Sequence, residues 1–122
     1  MSCRRAWVLL ALAAALPGSG CGAPPPQAPV AQAQRVASAL SGIAAACGQA
    51  YQHDAFAPRA RAHPALERAA SMRVRELAEV VRENPHWIYN GESLQDIVKS
   101  SIGYLSACRL TRAASLLRAT AG

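Results

Sequence analysis

Apolar residues recur along most of this chain at alternating steps of three and four, the period of one helical face. From Val30 they fall at Val36, Leu40, Ile43, Cys47 and Ala50 or Tyr51, with Gln32, Gln34, Arg35, Ser38 and Ser41 on the other sides. This predicts a first helix from about Val30 to Ala55, weakened by Gly42 and Gly48 because an interior glycine costs about 1 kcal/mol relative to alanine. A second helix opens at Pro64, which suits the first helical position, and stops before Pro85, which disfavours the α-conformation of Asn84. Leu66, Ala70, Val74 (or Met72), Leu77 and Val81 form its stripe, while Arg73-Glu76 and Arg75-Glu79 are spaced to pair on its exposed face. Asn90-Gly91-Glu92-Ser93 opens a third helix, with either Asn90 as N-cap or Ser93 and Asp96 as a capping box. Leu94, Ile97, Val98, Ser101 or Ile102, Leu105 and Cys108 continue the stripe, and Thr111 to Ala119 either extends that helix or forms a separate last turn. Connections of about eight residues make successive helices antiparallel. The expected fold is therefore all-α, a small up-down-up three-helix bundle with one disulfide over residues 30–119.

The first twenty residues follow a different pattern. Arg4 and Arg5 precede an unbroken apolar run from Ala6 to Leu16, and small residues follow. A basic start, a short apolar stretch and small residues before a cut form a secretory signal peptide over 1–20. About eleven apolar residues fall short of the roughly 20 that cross a bilayer. The end of this run, Gly18-Ser19-Gly20-Cys21, resembles the lipobox of bacterial lipoproteins, although Gly18 stands where that family favours an aliphatic residue. The resemblance implies that Cys21 is acylated and becomes the mature N-terminus, anchored in the lipid bilayer on the extracytoplasmic side. Gly22 is not the aspartate that retains many such proteins in an inner membrane, so the outer membrane is implied if the host has one. Residues 21–29, rich in proline, read as a semi-rigid tether. The alternative is cleavage without a lipid, giving a freely secreted or periplasmic module. Cys3-Arg4-Arg5-Ala6-Trp7-Val8-Leu9 loosely resembles a twin-arginine signal but lacks its Ser/Thr and Phe; the arginines serve equally as the basic start of any export signal.

Composition sharpens this picture. The chain has 122 residues, 52% of them hydrophobic but only 5% aromatic, so the apolar mass is alanine and aliphatics, suited to closely packed helices. This length holds one small domain. Four cysteines divide by compartment: Cys3 leaves with the signal, Cys21 takes the lipid, and Cys47 and Cys108 remain as a disulfide pair in an oxidising envelope. Two small buried thiols that never meet are the alternative. In the bundle both lie about 17 residues into parallel helices, hence about 25 Å up each. His53, His63 and His86 are scattered without metal-ligand spacing, so no metal or other cofactor is expected. His53-Asp54 is the one adjacent acid-base pair, and neighbours on a helix point about 100° apart, so the expectation is no enzyme, with an uncharacterised enzyme as the third reading of function.

Charge supplies the candidate binding surfaces. Thirteen Lys and Arg against seven Asp and Glu give a net +6, which falls to +4 once Arg4 and Arg5 leave. Arg61, Arg68, Arg75 and Arg82 recur every seven residues, but Glu67, Glu76, Glu79 and Glu83 interleave with them. A mixed-charge solvated face is the favoured account of that stripe, and an anion-binding face the rival one. Lys99, Arg109, Arg112 and Arg118 follow the last acid, Asp96, and offer a contact for an anionic envelope component, or simply complement helix C-termini. Trp87 and Tyr89, beside the tether in the bundle, suit a membrane interface, although plugging the open end of the core is the favoured account. Nucleic acid is not an expected partner, because aromatic interleaving is missing and the chain is exported. The expected role is structural or binding, through an unknown envelope protein or anionic component.

Overall fold

The computed structural model describes residues 25–56 and 64–122. Four helices and one short hairpin make up the described residues: α1 Val30–Phe56, α2 Pro64–Glu83, β1 Ile88–Tyr89, β2 Glu92–Ser93, α3 Leu94–Ala107 and α4 Thr111–Ala121. The described residues are thus mostly helical with one disulfide, which joins Cys47 to Cys108 across 5.4 Å between Cα atoms.

α1 buries Val36, Ala39, Ile43, Ala46, Cys47 and Ala50. This is the expected stripe, widened by alanines whose small side chains let a neighbour approach closely. That neighbour is α2. Arg35 meets Glu79, whereas Ser38 meets Arg73, so rising numbers in α1 face falling numbers in α2 and the two helices are antiparallel. α2 buries Ala70, Val74, Leu77 and Val81 as its spacing predicts, together with Ala78 and Val80. Its buried arc is wider than one stripe because α1 packs on one side and α4 on another. Met72, the alternative stripe position, points outward and is 63% exposed.

The connection after α2 is more ordered than expected. Ile88 pairs with Ser93 and Tyr89 with Glu92, closed by Asn90 at φ 49° and Gly91 at φ 80°. Two successive left-handed residues make the type I′ turn whose twist matches a two-residue hairpin. Asn90 therefore serves as a turn residue and not as a helix N-cap. Ser93 holds that position instead, and its Oγ accepts from the Asp96 amide at 3.1 Å. The chain before α1 joins the same small sheet: the Ala28 amide donates to the Ile88 carbonyl at 2.9 Å and the Ile88 amide to the Pro26 carbonyl at 3.0 Å. Gln27 bridges Ile88 in parallel sense.

A single third helix is replaced by two. The Arg109 amide donates to Ser106 and the Leu110 amide to Leu105, with Arg109 at φ 64°. These paired bonds are a Schellman stop, completed by buried Leu105 and Leu110 on its hydrophobic side. Arginine occupies a left-handed position that glycine usually fills, so the break is hidden from composition alone. Cys108 caps α3, and α4 begins three residues later. The core joins residues of all four helices, and Trp87 and Tyr89 pack against it half-buried.

Candidate functional surfaces

The start of α4 has a donor problem with an unexpected solution. Its N-cap residue Leu110 supplies no side-chain acceptor. Glu67, on the first turn of α2 and 8% exposed, supplies it from outside the helix: Oε1 accepts from the Arg112 amide at 3.3 Å and Oε2 from the Ala113 amide at 3.0 Å. A carboxylate on exposed helix-terminal amides satisfies two orphan donors and meets the positive end of the macrodipole. The sequence places Glu67 in a stretch of mixed charge, and its partners lie 45 and 46 residues away, so no local signal marks this role.

This contact brings the starts of α2 and α4 together and opens a cleft of about 480 Å³ between them. Arg68, Ser71, Met72 and Arg75 line it from α2, and Arg112 lines it from α4. The structure thereby regroups the two basic candidates. Arg68 and Arg75 come from the seven-residue stripe, whereas Arg112 comes from the C-terminal set. Arg82 is exposed beyond the cleft, and Arg61 lies outside the described residues. Lys99, Arg109 and Arg118 are exposed on other stretches of α3 and α4 and on the turn between them, and they do not line this cleft.

The ion pairs differ in one respect from the expected ones. Arg73 and Glu76 pair at 3.1 Å as their i,i+3 spacing predicts. Arg75 and Glu79 do not pair, because Arg35 of α1 takes Glu79 at 2.7 Å. An exposed pair on one helix is worth only about 0.2–0.5 kcal/mol, so a cross-helix partner of better geometry displaces it. Arg75 is left facing the cleft.

A second cleft, of about 360 Å³, lies where α1 and α3 flank the hairpin. Leu40, Ile43, Tyr89, Ile97 and Tyr104 give it a largely apolar wall, with Ser101 at its base. Ile43 and Leu40 face Ile97 and Ser101, while Cys47 sits 3.8 Å from the Tyr104 carbonyl and bonds to Cys108. Rising numbers meet rising numbers, so α1 and α3 run in the same sense. Tyr89 belongs to this wall and Trp87 to the rim of the core, which gives both a structural use at the hairpin.

Cys21, the lipidation candidate, lies outside the described residues, as does His63. Among the described residues there is no group of three potential metal ligands, and no helix is long and apolar enough to cross a membrane. No family model, no curated protein and no solved structure matches the chain.

Proposed function

We propose that this chain is a small lipid-anchored protein of the bacterial envelope, acylated at Cys21 on the extracytoplasmic side and acting by binding another envelope component, without catalysis. The distribution of cysteines carries this reading. One falls within the export signal, one closes the Gly18-Ser19-Gly20-Cys21 motif, and the remaining two form a buried disulfide. A disulfide of this kind persists in an oxidising compartment. In this reading α1, α2 and α3 are the three legs of an up-down-up bundle, and α4 packs back against α2 and α3. Its membrane is the outer one where the host has two, since Gly22 replaces the aspartate of inner-membrane retention.

The second reading is a freely secreted or periplasmic binding module, chaperone-like or inhibitory, and Gly18 at the third position before the cysteine favours it. Metabolic labelling with a clickable fatty acid separates the two. Label on the wild type that vanishes in Cys21→Ser is the expected result, and label absent from both, or surviving the substitution, defeats the anchor.

A further inference from the structure

Among the described residues, the cleft between the starts of α2 and α4 holds more positive charge than its neighbours neutralise. Arg68, Ser71 and Arg75 follow one another on a single face of α2 at steps of three and four, and Arg112 reaches the same space from the first turn of α4. All three arginines are exposed, and none forms an ion pair with a described residue. The nearby acids are engaged elsewhere: Glu76 by Arg73 and Glu79 by Arg35. Glu67, the carboxylate inside the cleft, has both oxygens turned onto backbone amides. The open side of the cleft therefore presents three guanidinium groups and a hydroxyl.

We propose that this cleft binds the phosphate group of a ligand lying away from the anchoring membrane. Guanidinium forks from two helices and a serine hydroxyl converge on different sides of one volume, which suits a tetrahedral oxyanion with three acceptor oxygens better than a planar carboxylate, for which one fork suffices. Exposed Met72 beside them offers an apolar shelf for whatever carries the phosphate. The location gives the source. α2 is about 30 Å long and antiparallel to α1, so its start is at the opposite end from Pro26 and Ala28, where the chain enters the domain. A headgroup in the anchoring bilayer is thus at the wrong end, and a soluble or polymeric phosphate at the right one. Only this choice of source rests on the lipid-anchored reading; the anion site itself does not.

The test uses the full chain, oxidised and in an uncharged detergent, titrated with tripolyphosphate and followed through backbone amide resonances. Saturable shifts centred on Arg68, Ser71, Arg75 and Arg112 are expected, with affinity about tenfold weaker in Arg68→Gln/Arg75→Gln and unchanged in Arg82→Gln. Citrate at matched ionic strength should bind less tightly. Equal shifts at Lys99, Arg109 and Arg118, undiminished affinity in the double variant, or citrate binding as tightly would each overturn the site. Cosedimentation of Cys21→Ser with phosphatidylglycerol vesicles reads the source. Equal binding by Arg68→Gln/Arg75→Gln and by the charge-matched Lys99→Gln/Arg118→Gln is expected, and a loss confined to the first variant would transfer the site to a lipid headgroup. Tripolyphosphate binding without fatty-acid label on the wild type would remove the anchor and leave the site standing.

Discussion

Glu67 caps a helix other than its own. It is buried, charged, and the acceptor for two amides that α4 leaves without a cap of its own. Glu67→Ala should destabilise the protein by about 1–2 kcal/mol, the range for losing a helix cap, and Glu67→Gln should cost less because its one carbonyl still accepts. Urea unfolding of the two variants checks the order; equal losses would mean that the charge and not the hydrogen bonding sets the effect. What was legible at this scale was local. Ser93 lies three residues before the amide it caps, and Arg73 three before the acid it pairs with. Glu67 and Arg35 find their partners across the fold, over 44 to 46 residues, and nothing in their sequence neighbourhoods announces it.

Helices α1 and α2 were legible almost to the residue because their apolar stripes are long, and Pro64 and Pro85 mark the ends of α2. The hairpin was not, although Asn90-Gly91 is the dipeptide a type I′ turn asks for: strands of two residues are too short to show alternation. The stop between α3 and α4 was hidden by an arginine in a glycine position. Two glycines in α1 show how packing modulates element stability. A methyl at Gly48 meets nothing, whereas one at Gly42 would fall on Cγ, Cδ and Nε of Arg73, whose guanidinium bonds Ser38 and Glu76. Gly48→Ala should therefore raise stability by about 0.8–1 kcal/mol, the helix-propensity difference, and Gly42→Ala should gain nothing or lose. Thermal melts of both variants decide this, and equal gains would show that Arg73 moves aside without cost.

At the scale of the whole molecule, parity and helix register pointed to Cys47 and Cys108, and the structure joins them. The regrouping of Arg68, Arg75 and Arg112 was invisible, since it depends on α4 starting beside the start of α2. The disulfide spans a sequence separation of 61 residues and connects the middle of α1 to the end of α3. In the chain-entropy model a loop of that size stabilises the fold by roughly 4 kcal/mol. A Cys47→Ser/Cys108→Ser chain should be destabilised by about that amount against the oxidised protein in denaturant titrations; a difference under about 1 kcal/mol would mean that helix packing alone carries the fold.

The same bond has a topological consequence. Residues 47 to 108, which include the whole of α2, the hairpin and α3, form a covalent ring closed by sulfur. A protease that cuts once anywhere in that ring opens it without releasing a piece. The nicked molecule keeps both pieces joined and divides in two only after reduction, so a single proteolytic cut need not detach one half of the domain from the other.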